Sequence, residues 1–190
     1  MISLGIIADT HIPDRIRTLN PQVIPIFRDA NVDAILHAGD ISTQGVLNEL
    51  GTVAPVYAVR GNRDWFFLYP FSRTALPKTR VLEFSGVNVT LTHGHGTFWQ
   101  YLAGHLAYIH TGGNNIERIQ NRLCTQFPGA DVIIFGHLHQ TINTWVGKQL
   151  IFNPGSPHFP DHGTMKPTIG LLRIHEDGEI VGQIIPLEAN

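Results

Sequence analysis

The feature that most constrains this chain is an ordered series of polar motifs, each of which directly follows a short apolar segment. The motifs combine carboxylates, an amide and several imidazoles, which are the side chains that a site for two divalent cations uses. In chain order they are Asp9-Thr10-His11, Gly39-Asp40, Gly61-Asn62-Arg63-Asp64, His93-Gly94-His95 and Gly136-His137-Leu138-His139. A fold for this sequence must therefore bring together segments that are far apart in the chain.

The apolar segments before the first three motifs predict buried strands of a parallel sheet. These segments are Ile2–Ala8, Asp33–His37 and Pro55–Val59. A helix that begins at Asn20-Pro21 and a shorter helix that Ser42 or Thr43 caps are predicted between them. Such strand–helix–strand connections are right-handed crossovers. Ligands collect outside the carboxyl ends of the strands in such sheets, and the first three motifs are each predicted there.

The second half of the chain has a different pattern, in which paired strands predominate. Turn sequences predict hairpins at residues 80–92, 141–152 and 168–186, and a single buried strand at Asp131–Phe135. Residues 97–127 have a mainly helical pattern. We expect an α/β protein in which a second, more antiparallel sheet packs on the first.

Composition restricts the classes of function. The chain has 190 residues, which fits a single domain over residues 1–190. Its formal net charge is −2 and no run of Lys and Arg stands out, which argues against a dedicated nucleic-acid surface or an anionic-membrane surface. The single cysteine, Cys124, excludes a disulfide within the chain, and no apolar stretch is long enough to cross a bilayer. These features predict a cytoplasmic location.

The two His-x-His motifs and the carboxylates together favour metal binding over a set of surface histidines. Asp40, at the end of a second strand, could bridge two cations, and the amide of Asn62 would add an oxygen ligand without adding charge. Imidazole and carboxylate ligands in combination suit Mn, Fe, Zn or Ni better than Ca.

The order of the motifs resembles that of the calcineurin-like metallophosphoesterase superfamily. The segment Asn153-Pro154-Gly155-Ser156-Pro157 narrows the resemblance to the small, single-domain YfcE-like phosphodiesterases. The resemblance covers roughly residues 1–185. It implies a four-layer α/β/β/α sandwich of two mixed sheets. It also implies two divalent metal ions, with Mn favoured over Fe, Ni, Zn or Mg, and a small-molecule phosphodiester substrate.

The resemblance also implies a role for each motif. It assigns one metal ion to Asp9, His11 and His139, the other to Asn62, His93 and His137, and the bridging position to Asp40. His95 matches a position beside the metal ligands or the substrate and is not itself a ligand. Asn153 and Ser156 would shape the loop beneath the site, and His158 receives no role.

The implied reaction is hydrolysis, in which two cations activate a bridging water for attack on phosphorus in line with the leaving group. Many superfamily members have a His directly after the Asn, where it helps to protonate the leaving group, but this chain has Arg63 there. Arginine is not a general acid near neutral pH, although it can bind a phosphoryl group bidentately. We therefore predict that Arg63 binds phosphate and that substrates with good leaving groups react fastest. The alternative is a surface Arg63 paired with Asp64.

Two other classes of function remain open. The same fold resembles a retromer subunit that acts as a protein-interaction scaffold with a degraded metal site, whereas this chain retains His11, Asp40 and Asn62. Phosphomonoesterases and nucleotide pyrophosphatases share the metal site, so that only substrates separate them from phosphodiesterases.

An aromatic-rich set of residues adjoins the metal motifs in the sequence. These side chains could pack in the core, form a homo-oligomer interface or stack a nucleobase, and we favour the first two roles. The set comprises Trp65, Phe66, Phe67, Tyr69, Phe71, Phe98, Trp99, Tyr101 and Tyr108.

Overall fold

The computed structural model describes residues 1–65, 76–96, 116–161 and 165–188, which form two five-stranded sheets and flanking helices. The strands are β1 (Ile2–Ile7), β2 (Ala34–His37), β3 (Val56–Ala58), β4 (Thr79–Phe84), β5 (Val87–Thr92), β6 (Val132–Ile134), β7 (Thr141–Val146), β8 (Gln149–Pro154), β9 (Thr168–Ile174) and β10 (Ile180–Pro186). The helices are α1 (Val23–Asp29), α2 (Gln44–Leu50) and α3 (Ile116–Gln126), and a 3-10 helix spans Arg63–Trp65.

The first sheet has the strand order β10-β9-β1-β2-β3. Strands β1, β2 and β3 are parallel, as the sequence predicted, because the chain returns through α1 and α2 between them. Strand β1 is buried on both faces: Leu4 and Ile6 pack between the sheets, whereas Ile7 packs beneath the helices. Burial on both faces explains why this segment is continuously apolar rather than alternating.

In the described part of the chain, three hydrophobic clusters separate four layers of structure. Phe27 of α1 belongs to the cluster between the first sheet and helices α1 and α2. Leu36 of β2 and Leu91 of β5 belong to the cluster between the two sheets. Leu123 of α3 packs with Ile133 of β6 on the far side of the second sheet. The protein is therefore an α/β/β/α sandwich of two mixed sheets, which confirms the predicted fold class.

The prediction for the second sheet was wrong in two respects. Its order is β4-β5-β6-β8-β7, and its three inner strands β5, β6 and β8 are parallel to one another. The last predicted hairpin, β9-β10, instead extends the first sheet, where β9 pairs antiparallel with β1. Almost every residue of β9 is buried, so this strand needs a covered place beside β1 and not an exposed edge.

The helix ends follow local hydrogen bonding. Thr43 caps α2 as one of the two predicted candidates, because its side chain accepts a hydrogen bond from the Gly45 N–H. Helix α1 begins at Val23 and not at Pro21, because the Asn20 side chain accepts from the Gln22 N–H and forms a turn before the helix. No helix in the described part of the chain is long and apolar enough to cross a membrane.

Several predictions fall outside the described residues. They concern the helical pattern over residues 97–115 and every aromatic residue of the adjoining set except Trp65, whose backbone ends the 3-10 helix. The homo-oligomer interface, the cytoplasmic location and the single domain over residues 1–190 also stay predictions.

Candidate metal centre

The predicted motifs lie in loops that leave the carboxyl ends of strands in both sheets. Asp9, Asp40 and Asn62 follow β1, β2 and β3, while His93 and His137 follow β5 and β6. Parallel strands place their carboxyl ends at the same edge of a sheet. The two sheets face each other, so the loops meet at one end of the sandwich. The structure thus brings together residues separated by up to 130 positions, from Asp9 to His139.

One group of ligand atoms comes from the loops after β1 and β6. The Nε2 atoms of His11 and His139 lie 3.0 Å apart. Oδ1 of Asp9 lies 3.6 Å from His139 Nε2 and 3.9 Å from His11 Nε2. One ligand atom from each of the three residues lies within 4.8 Å of the others, which is compatible with a shared cation.

A second group comes from the loops after β3, β5 and β6. Oδ1 of Asn62 lies 3.0 Å from His93 Nε2 and 3.0 Å from His137 Nδ1. His93 Nδ1 lies 2.8 Å from the Ala38 carbonyl oxygen, so its N–H donates outward and Nε2 faces the cluster. This orientation of a ring by a backbone carbonyl is typical of histidines that ligate metals.

Asp40 lies between the two groups. Its Oδ2 is 3.4 Å from His93 Nε2 in one group and 3.8 Å from His11 Nε2 in the other. Its Oδ1 accepts a hydrogen bond of 2.8 Å from the Arg63 backbone N–H, which fixes the carboxylate. Asp9 is also close to this position, since Asp9, Asp40 and His93 form a second set of ligand atoms within 4.8 Å. All seven predicted ligands therefore converge, and Asp40 has the central place.

The backbone at the cluster adopts conformations that ordinary residues avoid. Asp9, His11, Asp40, Ser42, His137 and His139 all have positive φ angles, between 51° and 74°. Positive φ is uncommon for non-glycine residues, and clusters of such residues are typical of functional sites. Hydrogen bonds between loops maintain these conformations: the Asp9 N–H donates to Gly39 O and the His11 N–H to Asp40 O, both at 3.0 Å.

Two glycines allow the loops to approach one another. A Cβ atom at Gly61 would overlap both Oδ1 and the backbone N of Asp40. A Cβ atom at Gly136 would lie 2.9 Å from Asp9 Oδ2 and 2.9 Å from Ala8 Cβ. Glycine is therefore needed at both positions because a Cβ atom would clash with a neighbouring loop.

Asp64 holds the loops after β2 and β3 together, a role that sequence reasoning missed. Its side chain is fully buried and accepts hydrogen bonds from the N–H groups of Gly61 and Ser42 at 2.8 Å and of Ile41 at 3.1 Å. Burial raises the pKa of its carboxyl group, and the backbone donors oppose that shift. The signal in the sequence was its position two residues after Asn62, within the motif Gly61-Asn62-Arg63-Asp64.

Asn153 and Ser156 hydrogen-bond to the loops that carry the predicted ligands, which agrees with the loop role that the resemblance implied. Asn153 Nδ2 donates to Gly136 O at 2.8 Å, and its Oδ1 accepts from the Gly155 N–H at 3.0 Å. Ser156 Oγ donates to the Asp9 carbonyl at 2.9 Å. The loop after β8 is therefore tied to the loops after β6 and β1.

Burial controls the charge of most of the clustered histidines. Removal from water lowers the pKa of His11 and His137 to about 3 and that of His139 to about 4. These imidazoles are neutral near pH 7, and a neutral imidazole offers a nitrogen lone pair to a cation.

Asp9, Asp40 and His93 interact at the centre of the cluster, and each has a strongly shifted pKa. Burial raises the pKa of Asp9 to about 8. Burial also opposes protonation of His93, but the Asp40 carboxylate outweighs it and raises the pKa of His93 to about 9. Burial likewise opposes ionisation of Asp40, whose pKa His93 nevertheless lowers. Protons on Asp9 and His93 sit where a cation would bind, so metal binding should release them. This donor set fits a divalent cation.

Arg63 has a different partner from the one considered in the sequence analysis. Its Nε donates to Asp14 Oδ2 at 2.9 Å, whereas Asp64 is turned inward to the backbone. Asp14 Oδ2 also lies 3.9 Å from His11 Nδ1, so Arg63 is close to the predicted metal ligands. The Arg63 side chain is 38 % exposed, so part of it is open to solvent.

His95 and His158 lie at the periphery. The His95 ring centroid is 5.4 Å from that of His93 and 6.2 Å from that of His137, and burial lowers its pKa to about 4. His95 is therefore beside the cluster, while its role towards the substrate stays a prediction. His158 is half-buried, and burial lowers its pKa to about 4 as well.

An aromatic residue that the sequence analysis missed lines the cluster. The Phe159 ring stacks on His139 with centroids 5.1 Å apart and meets His11 edge-on at 5.8 Å. The Arg15 guanidinium lies over Phe159, 5.5 Å from the ring centroid. Its charge is among the causes that lower the pKa of His11 and His139. No motif in the sequence connected these two residues.

Comparison with known proteins agrees with this geometry. The model of the calcineurin-like phosphoesterase superfamily domain matches residues 2–177. The chain belongs to this superfamily. It is similar to a protein named as a probable metallophosphoesterase in Methanothermobacter thermautotrophicus, with 36 % identity over 93 % of this chain and 87 % of the relative.

Two solved structures show the range of proteins with this fold. One, described as a novel archaeal phosphodiesterase, has a TM-score of 0.60 and 26 % identity, and the match covers 97 % of this chain and all of that one. The other is wild-type Vps29 from Entamoeba histolytica in complex with zinc, with a TM-score of 0.69 and 19 % identity over 97 % of this chain and 99 % of that one. The likeness to Vps29 shows the fold alone.

Proposed function

We propose that this chain is a metal-dependent phosphodiesterase that hydrolyses small organic phosphodiesters at a centre of two divalent metal ions. The observation that carries the proposal is the placement of Asp40 Oδ2 within 3.8 Å of a histidine from each ligand group. A carboxylate between two sets of nitrogen and oxygen donors is the arrangement that a pair of cations requires. Membership of the phosphoesterase superfamily and the similarity to proteins named as phosphodiesterases support the reaction class.

The proposal assigns the ligands as follows. Asp9, His11 and His139 would hold one cation, Asn62, His93 and His137 the other, and Asp40 both. When bound, two such cations lower the pKa of water and neutralise charge on phosphoryl oxygens. Manganese is our first choice of metal, because imidazole, carboxylate and amide ligands together suit it well.

The residues of the chain position the substrate around that centre. The partly exposed side chain of Arg63 can bind two oxygens of a phosphodiester, because the planar fork of arginine matches phosphate geometry. The ion pair with Asp14 fixes Arg63 in place before the substrate binds. Since Arg63 does not protonate a leaving alkoxide near neutral pH, aryl esters and other substrates with good leaving groups should react fastest.

Hydrolysis of bis-p-nitrophenyl phosphate with and without Mn²⁺ tests the proposal. We expect turnover that requires Mn²⁺, that is abolished by chelation, and that falls by at least about a hundredfold in Asp40→Ala. Parallel assays with p-nitrophenyl phosphate and a nucleoside diphosphate separate a phosphomonoesterase or a pyrophosphatase from a phosphodiesterase. Faster turnover of either compound than of the diester would contradict the substrate class and leave the metal centre in place.

A protein-interaction scaffold is the second candidate, and the specific observation for it is the fold shared with Vps29. A scaffold needs no turnover and does not need all seven ligands. If Mn²⁺ stimulates no hydrolysis and chelation leaves the melting temperature unchanged, the scaffold becomes the better account.

A further inference from the structure

Arg15 occupies a defined position at the edge of the candidate metal centre. Its side chain is exposed, yet the guanidinium lies 5.5 Å from the centroid of Phe159. Phe159 in turn stacks on His139 with centroids 5.1 Å apart and an interplanar angle of 24°. A positive charge over an aromatic face is attracted to it and is held in fewer conformations than a free arginine. Arg15 is thus preorganised beside the cluster.

The charge of Arg15 has no carboxylate partner within 4.0 Å among the residues that the structure describes, whereas Arg63 is paired with Asp14 at 2.9 Å. The two arginines are connected to His11 through different neighbours: Arg63 through Asp14, which lies near His11 Nδ1, and Arg15 through Phe159, which meets the His11 ring edge-on. The scissile phosphate of the proposed reaction carries one negative charge. Of these two arginines, Arg15 is therefore the one whose charge a second anionic group on the substrate would meet without a carboxylate partner.

We propose that Arg15, seated on Phe159, is a specificity-determining residue that binds a second phosphate group of the substrate, beyond the phosphodiester that is cleaved. The proposal rests on the proposed phosphodiesterase function and narrows its substrate class to phosphodiesters that also carry a terminal phosphate. A terminal phosphate has about 1.5–2 negative charges near pH 7 and three acceptor oxygens, which suit the arginine fork better than a single-charged group does. Phe159 is a positioning residue in this arrangement, because it acts on the substrate only through Arg15.

The test compares two substrates that differ by one phosphate. They are thymidine 5′-(p-nitrophenyl phosphate) and its 3′-phosphorylated form, both assayed with Mn²⁺. We expect the wild-type protein to prefer the 3′-phosphorylated diester by about tenfold in kcat/KM, the size of effect that one charge-assisted contact gives. Arg15→Ala should reduce that preference to less than about twofold. Phe159→Leu should reduce it partly, because the guanidinium loses its platform.

Arg17→Ala is the matched control. Arg17 is exposed and only two residues from Arg15, so the variant makes the same change in net charge. It should retain the tenfold preference. An equal loss of preference in both arginine variants would show a diffuse effect of charge and would overturn the assignment of a binding site to Arg15.

A binding measurement separates the failure of this inference from the failure of the proposed function. Calorimetric titration of the Mn²⁺-loaded protein with thymidine 3′,5′-bisphosphate and with thymidine 5′-monophosphate requires no turnover. Tighter binding of the bisphosphate that Arg15→Ala abolishes supports the inference even if neither diester is hydrolysed, in which case only the reaction class is wrong. If both diesters are hydrolysed but the wild-type and Arg15→Ala proteins show the same preference and the same binding, the inference is wrong and the phosphodiesterase function stands.

Discussion

Some positions in the loops that carry the predicted ligands have no room for a side chain. At Gly61 the reason is steric, because a Cβ atom would overlap the carboxylate oxygen and the backbone nitrogen of Asp40. The central carboxylate therefore depends on a neighbouring residue that contacts no cation. This dependence makes Gly61 a more sensitive probe of the centre than many polar residues around it.

Gly61→Ala should weaken Mn²⁺ binding by roughly ten- to a hundredfold, the usual effect of disturbing a group that supports a ligand. The added methyl group must push Asp40 away from the position between the two ligand groups. Calorimetric titration with Mn²⁺ measures the change. Gly129→Ala is the control, since a Cβ atom there meets nothing within 4 Å. Equal affinity in Gly61→Ala and the wild type would show that Asp40 does not need this position.

Asp64→Asn should destabilise the fold by about 2–4 kcal/mol. The buried carboxylate accepts hydrogen bonds from three backbone N–H groups, whereas an asparagine offers one oxygen and turns its own NH₂ towards donors. Chemical denaturation measures the free energy of unfolding. Asp177→Asn is the control, because Asp177 accepts one backbone hydrogen bond at an exposed turn. Similar losses in the two variants would contradict a special role for Asp64.

Arg63→Ala should raise the KM for bis-p-nitrophenyl phosphate by about tenfold, because a charge-assisted contact with the phosphodiester is lost. Steady-state kinetics measures KM and kcat separately. Arg17→Ala, at an exposed position, serves again as the control for net charge. Unchanged KM and kcat in Arg63→Ala would leave this residue as the surface partner of Asp14 only.

At the scale of elements, the site exists because strand ends from both sheets are tied to each other. Strand β8 ends at Pro154, and just before that end Asn153 bonds to the Gly136 carbonyl at the end of β6. Ser156 then bonds to the Asp9 carbonyl beyond β1. Strand β8 thus supplies no predicted metal ligand, but it fixes two loops that do.

Asn153→Ala should cost about 2–3 kcal/mol of unfolding free energy, because it leaves a buried carbonyl group and a buried N–H group without partners. Asn143→Ala on the adjacent strand β7 is a matched control. Asn143 also donates to a glycine carbonyl at 2.8 Å, but it is exposed, so water can replace the lost bond. Its cost should stay near 0.5 kcal/mol. Equal costs measured by chemical denaturation would contradict the role given to Asn153.

The sequence predicted those elements whose pattern is local. Strands β1, β2 and β3 are apolar segments that end in polar motifs, and the alternation with helices determines their parallel order. The sheet to which β9 belongs could not be predicted in this way. Its pairing with β1 joins residues such as Ile2 and Ile174, which lie at opposite ends of the chain. A hairpin pattern determines that two strands pair, but not which sheet they extend.

The same limit applies to the site. Ligand motifs were visible because their residue types and spacing are specific, and the structure brings them together. The contact between Arg15 and Phe159 could not be predicted, because neither residue belongs to a recognisable motif. Only the fold places the residue after Asp14 against the loop after β8. The pairing of Arg63 with Asp14 was missed for the same reason, since 49 positions separate the two residues.

At the scale of the whole molecule, the fold gathers buried titratable groups at one end of the sandwich. Among the described residues, six histidines have a pKa below the usual value, chiefly because they are buried: His11, His37, His95, His137, His139 and His158. Asp9 and His93 have raised values, about 8 and about 9. The stability of the protein must therefore depend on pH, and metal ions bound at the cluster would change that dependence.

The metal-free protein, prepared with a chelator, should be most stable near pH 7. At lower pH the six histidines bind protons in the unfolded chain but stay neutral in the folded protein. Their contribution to stability is therefore fully present above about pH 6.5 and is lost as the pH falls towards 3–4. Asp9 has the opposite effect, because the folded protein holds a proton on it that the unfolded chain does not bind. This single proton is outweighed by the protons of the six histidines. Above about pH 7 the folded protein holds protons on Asp9 and His93 that the unfolded chain does not bind, so stability falls until these protons are lost at about pH 8 and pH 9.

Each proton of difference between the folded and unfolded states changes stability by about 1.4 kcal/mol per pH unit. Denaturation at pH 5, 7 and 8.5 with chelator should therefore give the highest unfolding free energy at pH 7, with a loss of several kcal/mol at pH 5. With Mn²⁺ the optimum should move above pH 8, because the cations replace the protons on Asp9 and His93 and compete better as proton concentration falls. Identical profiles with and without Mn²⁺ would mean that the cations do not bind where those protons are held.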